Sequence, residues 1–308
     1  MIKKVFAGFL VFVLVSTPAG RAADGAQVFM DSLIEAYNED RFDAIKAMFD
    51  DDARIYFMGE RESKPQTVEF LLKRWQEESQ AIADRRLGLK RIFPVENGLI
   101  VQYIFYGIMV QTGADAPPAQ LSGREGILFL KIKDSKIQEW REYTNPNLTR
   151  RLTPETAAPN SKIPDWPLGS ETVFENQETG TQEAIQGFYQ ALNDLDAKAA
   201  GKLMAEEGAF YNHTINTQES LREVISIRLQ NYFEEFKNRK IVIEDLHVAG
   251  PYAVLRIFNY TDKLALPSCD VVKVADGKIE TIEEYFNISE IDSLRKAPAP
   301  APVLSEGV

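Results

Sequence analysis

Apolar positions along this chain switch between two spacings, and they do so in the same order twice. In the first half Phe29, Leu33, Ala36 and Tyr37 fall on one helical face. A shorter set, Phe42, Ile45, Met48 and Phe49, predicts a second helix after the polar break Glu39-Asp40-Arg41. Residues 54–57 read as a first strand that stops at Gly59. Ser63-Lys64-Pro65-Gln66 then has the capping residue, early proline and Gln of a helix start. Val68, Leu71, Leu72, Trp75 and Ile82 give that helix its buried stripe. Strands are predicted at 87–93, 99–110 and 127–132, with residues 114–122, including Pro117-Pro118, as the loop between two long ones.

The second half repeats the order. Ile185, Phe188 and Leu192 predict a first helix, and Leu195, Leu203 and Met204 a second. Residues 209–212 form a strand, and a helix starts at Asn216-Thr217-Gln218-Glu219 with Leu221, Val224, Ile225, Leu229, Tyr232, Phe233 and Phe236 as its stripe. Strands follow at 241–248, 252–260 and 266–274. The two halves close on related stretches, Lys136-Ile137-Gln138-Glu139-Trp140-Arg141-Glu142-Tyr143-Thr144-Asn145 and Lys278-Ile279-Glu280-Thr281-Ile282-Glu283-Glu284-Tyr285-Phe286-Asn287. Lys, Ile, Glu, Tyr and Asn recur at a constant offset of 142 residues. Each copy follows an apolar run and a two-residue turn (Asp134-Ser135, Asp276-Gly277), the grammar of a β-hairpin. Two helices, a strand, a helix and an antiparallel meander, written twice, predict an α+β fold in two tandem domains.

Composition refines this picture at the ends. Lys3 and Lys4 precede an apolar stretch over 5–15 and then Gly20-Arg21-Ala22, the pattern of a secretory signal cut after Ala22. That predicts residues 1–22 as signal peptide, 24–146 as domain 1, 147–178 as a Pro-rich linker, 179–295 as domain 2 and 296–308 as a disordered Ala/Pro tail. A secreted or periplasmic protein follows, with no membrane attachment after cleavage. Removing residues 1–22 takes three basic residues and no acid, so the net charge of −11 becomes −14. Such a surface repels phosphate backbones and excludes nucleic acid as a partner. Cys269 is the single cysteine, so no internal disulfide forms, and its apolar run places it in a core. The sequons at Asn147, Asn212, Asn259 and Asn287 read as chance, since some lie on predicted strands.

Ala36-Tyr37-Asn38, Ala53-Arg54-Ile55-Tyr56 and the closing Lys-Ile-x-x-Trp-Arg-Glu-Tyr stretch give each half a resemblance to the nuclear transport factor 2-like superfamily. Its nearest flavour is the SnoaL-like group of polyketide cyclases and limonene-epoxide hydrolases. The resemblance covers residues 26–145 and 180–290. It implies, for each domain, a cone: a curved antiparallel sheet wrapped by helices around a pocket, the cystatin-like arrangement. The fold hosts isomerases, hydratases, hydrolases and non-catalytic modules, so function has to come from the site. Strand alternation puts Trp140 and Glu142 on one face and Glu139, Arg141 and Tyr143 on the other. The apolar members make the first face the interior, so Glu142 and its counterpart Glu284 enter apolar cavities, where a carboxyl suits acid–base work. No Arg-x-Asp stands in the strands at 99–110 or 252–260, a departure from the epoxide hydrolases, and no Tyr with two pocket Asp residues is evident.

The candidate residues divide between the halves. Tyr211, His213, Arg256 and Glu284 form the candidate catalytic set of domain 2, His213 being a proton-transfer group by type. Tyr56, Trp75, Tyr103, Trp140 and Glu142, with Tyr232, are the candidate ligand-binding residues. His213 and His247 are the only imidazoles and show no ligand spacing, so no metal and no cofactor is expected. Three functions compete: binding of a small apolar or aromatic molecule, an isomerase, hydratase or cyclase, and a protein-interaction module. The resemblance, whose members commonly pair through their outer sheet faces, implies an intramolecular pseudo-dimer of the two domains, with Arg141 expected against Glu283.

Overall fold

A computed structural model describes residues 19–57, 65–109, 120–144, 150–151, 171–172, 179–213, 217–220, 222–235, 238–260 and 265–286. The predicted signal core, linker body and tail lie outside the described residues. In the first half, helix α1 (Ala19–Asn38) runs through the predicted cleavage point and buries Met30, Leu33 and Tyr37. Helix α2 (Phe42–Ala47) follows, then strand β1 (Phe49–Phe57), helix α3 (Val68–Ala81) and strands β2 (Ile82–Val95), β3 (Gly98–Met109), β4 (Gln120–Lys133) and β5 (Lys136–Tyr143). The short strands β6 (Arg150–Arg151) and β7 (Glu171–Thr172) attach to β4 and β2, giving the order β1-β5-β4-β3-β2-β7.

The second half has helices α4 (Thr179–Asn193) and α5 (Ala197–Leu203), strands β8 (Met204–Asn212) and β9 (Thr217–Ser220), and helix α6 (Arg222–Glu235). Strands β10 (Lys240–Ala249), β11 (Tyr252–Tyr260), β12 (Ala265–Ala275) and β13 (Lys278–Phe286) complete a sheet ordered β10-β11-β12-β13-β8-β9. Each sheet is mixed rather than wholly antiparallel. The four-strand meander is antiparallel, but β1 joins β5, and β8 joins β13, in parallel. The first strand is separated from the last by the whole domain, so its direction is free of any hairpin constraint.

The predicted turns carry the backbone a two-residue hairpin needs. Asp134 and Ser135 have φ of 50° and 61°, and Asp276 and Gly277 of 50° and 68°. Positive φ at both central positions matches the twist of the flanking strands. Two helix starts differ from expectation. The first is Thr67, not Ser63: its side chain accepts a hydrogen bond from the Phe70 amide at 3.3 Å, and α3 begins at Val68. Ile82, expected on the stripe of α3, is already the first residue of β2. The second is residues 217–220, which pair with β8 as strand β9 and leave α6 to start at Arg222. An open sheet edge supplies a ladder of hydrogen bonds there and overrides a capping signal of about 1 kcal/mol.

The inner face of each sheet and its helices enclose a core. In domain 1 this core holds Leu33, Ile45, Ile55, Leu71, Trp75, Val101, Leu130 and Trp140; in domain 2 it holds Ile185, Phe188, Met204, Leu255, Val272 and Ile282. The outer faces of the two sheets meet. Phe93, Ile100, Ile127 and Tyr143 of domain 1 share one buried cluster with Tyr252, Val254, Cys269, Val271 and Tyr285 of domain 2. Cys269 is fully buried there, and burial pushes its thiol well up.

Ion pairs cross the same seam at one place, although the Arg141–Glu283 pair is not among them. Arg141 bonds Glu139 at 2.5 Å and lies over the Tyr56 ring. Glu283 instead meets Arg91 at 2.8 Å, Gln102 at 2.7 Å and Lys90 at 3.1 Å. The register of β2 shifts between Leu89 and Arg91, and this bulge lets the consecutive Lys90 and Arg91 both reach across. Burial alone raises the Glu283 carboxyl, but His213, Lys90 and Arg91 outweigh it and hold it well below the carboxylate range.

Candidate functional site

The two cones are built on the same scaffold and differ in chemistry. In domain 1 the cavity is lined by Tyr37, Trp75, Tyr103, Phe105, Trp140 and Glu142, among others. The free space inside is about 30 Å³, room for a water or two. Aromatic side chains fill the rest: the Trp75 ring stands edge-on to Tyr37 at 4.9 Å and to Trp140 at 5.5 Å. The cavity's carboxyl is paired, although Arg124 Nε is buried with no hydrogen-bond partner. Tyr103 donates its hydroxyl to Glu142 at 2.5 Å, and Arg124 bonds Glu78 at 2.9 Å. Burial and the Glu142 charge push the Tyr103 hydroxyl well up, so it remains a donor. Tyr103 spans to Glu142 over Gly126, where a Cβ would stand 2.4 Å from the tyrosine oxygen.

In domain 2 the register places Asp270 on β12 opposite Glu284 on β13. The same position of domain 1 holds Leu128 opposite Glu142. A second carboxyl therefore faces the one that recurs. Asp270 is 4% exposed; one of its oxygens accepts a hydrogen bond from Tyr189 of α4, and its Oδ1 is buried with no hydrogen-bond partner. Burial first, and then the Glu284 charge, push the Asp270 carboxyl well above its ordinary range. Glu284 accepts from the Asn212 amide at 2.5 Å. Two carboxyls on one inner face, one pushed toward its protonated form by its surroundings, set a candidate proton donor beside a candidate acceptor.

The candidate residues read from the sequence divide accordingly. Trp75, Tyr103, Trp140 and Glu142 line the first cone, while Tyr56 does not: it is half-exposed on the outer face beneath Arg141. Odd and even positions of a strand face opposite ways, and Tyr56 lies between the buried Ile55 and Phe57. Tyr232 belongs to α6, and its side chain lies outside the described part of the structure. Glu284 enters the second cone, but His213, Tyr211 and Arg256 do not join it. His213 follows the end of β8, stacks on Tyr285 at 4.6 Å and bonds Glu283 at 3.1 Å, on the domain seam. The Tyr211 ring is next to His213, and Arg256 bonds Asp245 at 3.0 Å and lies over Phe129 of domain 1. Spacing and residue type do not single out Asp270 or Tyr189. A partial signal exists, because an Asp interrupts the apolar run Cys269-Asp270-Val271-Val272. The sequons at Asn212 and Asn259 carry buried side chains and cannot hold a glycan in the fold; those at Asn147 and Asn287 lie outside the described residues.

No curated protein matches the chain. Several solved structures do, each over a little more than a third of it. One is a protein of unknown function with a ketosteroid isomerase-like fold from Catenulispora acidiphila, in complex with trimethylamine. It is 19% identical over 38% of this chain and 98% of its own, with a TM-score of 0.35. An NTF2-like protein of unknown function from Cytophaga hutchinsonii is 19% identical over 37% and 94%, with a TM-score of 0.32. A putative SnoaL-like polyketide cyclase from Shewanella putrefaciens is 13% identical over 39% and 86%, with a TM-score of 0.36. The family model described as SnoaL-like domain matches residues 30–140 and again 185–282, most of both halves. The chain belongs to the SnoaL-like domain family, with two copies in tandem.

Proposed function

We propose that the second cone binds a small organic molecule bearing a carbonyl or enol oxygen and moves a proton on it, as an isomerase, hydratase or cyclase does. The observation that carries this reading is the buried, unpartnered Oδ1 of Asp270 beside the Glu284 carboxylate. A buried polar atom without a partner costs about 1–3 kcal/mol, and a bound oxygen would satisfy it. In this reading the neutral Asp270, steadied by Tyr189, donates a hydrogen bond to the ligand oxygen. Glu284, held by Asn212, takes a proton from the carbon beside it. The first cone serves as the structural partner, because its space is nearly filled by aromatic side chains and its one carboxyl, Glu142, is already held by Tyr103. The basic, apolar and small-residue pattern of residues 1–22 supports export, and a thiol buried as Cys269 is suits an oxidising compartment. Among the described residues no helix is long and apolar enough to cross a membrane.

The test is exchange of carbon-bound hydrogen in D2O, followed by NMR over a panel of small enolisable ketones. Wild-type protein is expected to label at least one member above background, and Asp270→Leu, which installs the residue of the matching position in domain 1, to slow that labelling at least about tenfold, the loss of one good donor. Equal labelling by the folded variant overturns the donor role of Asp270. If the whole panel stays unlabelled but a panel compound raises the melting temperature of wild type and not of Asp270→Leu, binding without chemistry is the function.

A further inference from the structure

The seam between the domains holds a second cluster that proton transfer in the cone does not use. Glu125 on β4 comes from domain 1; His213, after β8, and Glu283, on β13, come from domain 2. One ligand atom from each lies within 4.8 Å of the others. Lys90 marks the centre of the group, with its Nζ 2.6 Å from Glu125 Oε2 and 3.1 Å from Glu283 Oε2. The Lys90 side chain as a whole is 29% exposed, which gives its ammonium a path to solvent. His213 supplies an independent observation. Its side chain is 7% exposed, and its Nδ1 is buried with no hydrogen-bond partner, facing Glu125 Oε2 at 3.5 Å.

We propose that Glu125, His213 and Glu283 form a divalent-cation site across the domain seam, which takes up a zinc-like ion in exchange for the Lys90 ammonium. An ion about 2.1 Å from both His213 Nδ1 and Glu125 Oε2 subtends about 113° at their present separation, close to tetrahedral, and Glu283, now 3.1 Å from the other ring nitrogen, turns to complete the set. Imidazole with two carboxylates suits zinc among the common divalent ions, and a fourth position is left for water. The ion neutralises the two carboxylates that Lys90 now holds, and it ties domain 1 to domain 2 through ligands from both. The three residues come from strands far apart in the chain, so no spacing in the sequence announces them.

Isothermal titration of the full mature chain with Zn2+ alone tests this. One ion per chain is expected to bind. Because the ammonium competes, Lys90→Met should tighten binding at least about tenfold, a change of about 1.4 kcal/mol. His213→Asn and Glu125→Gln should each weaken it at least about tenfold, and His247→Asn should leave it unchanged. Circular dichroism checks that each variant folds; if His213→Asn does not, Glu125→Gln and Lys90→Met decide. Absence of binding in both wild type and Lys90→Met overturns the proposal. So does binding that Lys90→Met leaves no tighter, or that neither ligand substitution weakens.

Discussion

Asp270 and Leu128 occupy the same register position in two copies of one fold, and that exchange separates the cones. A carboxyl facing another carboxyl in a buried place stays protonated, and folding then takes up a proton that the unfolded chain releases above about pH 4. The sign follows from the raised folded value: stability is highest below the unfolded value and is lost as pH rises toward the folded one. Asp270→Asn keeps an acceptor for Tyr189 and removes this cost. It should raise stability near neutral pH by on the order of 1 kcal/mol, roughly 2–4 °C in melting temperature, with no gain near pH 3. Calorimetry at the two pH values checks it. In the first cone the same logic runs in reverse. Tyr103→Phe leaves Glu142 buried without its best donor and should cost about 2–3 kcal/mol in urea unfolding. These side chains were legible unequally. Glu142 and Glu284 follow from strand alternation in the repeated stretch, whereas the partner of each comes from another strand or helix, and no local pattern names it.

At the scale of elements, the sequence shows best what depends on neighbours along the chain. The hairpin turns, the helical faces of α1 and α4 and the strands of the meander all come from local spacing. Strand β9 does not, because its residues carry a helix-start pattern and become a strand only where the edge of β8 is open. The bulge in β2 is equally invisible, yet it sets which two cations cross the seam. The turns also differ in a testable way. Ser135 holds φ of 61° where the second copy has Gly277. A side chain in that region costs about 1 kcal/mol, so Ser135→Gly should stabilise domain 1 by about 0.5–1 kcal/mol. Chemical denaturation would show this as a higher midpoint with an unchanged slope.

For the whole molecule, the seam joins an apolar cluster to a compact set of charges. Arg141 takes no part in the cross-seam bonds of Glu283, so Arg141→Glu should leave the domains together. Arg91→Glu sets two acids against each other at Glu283 and should cost about 2–5 kcal/mol of the pairing. Small-angle scattering is expected to show a compact particle for wild type and Arg141→Glu, and a longer maximum dimension for Arg91→Glu. The repeat in the sequence announces two domains, and the family resemblance implies their outer faces as the place of meeting. It puts the wrong arginine there because the bulge that aims Lys90 and Arg91 is a tertiary feature.

On the proposed function, the two copies have diverged into a filled cone and a working one, and a raised Asp270 carboxyl carries that distinction. It can be measured without knowing the ligand, by carbon-13 NMR of protein labelled at the aspartate carboxyls and titrated between about pH 3 and 8. Exposed aspartates titrate near pH 4. One carboxyl signal is expected to keep its protonated position after the exposed aspartates have titrated and to disappear in Asp270→Asn. A spectrum in which every aspartate has lost its proton by about pH 5 would contradict a neutral Asp270 and, with it, the division of labour between the cones.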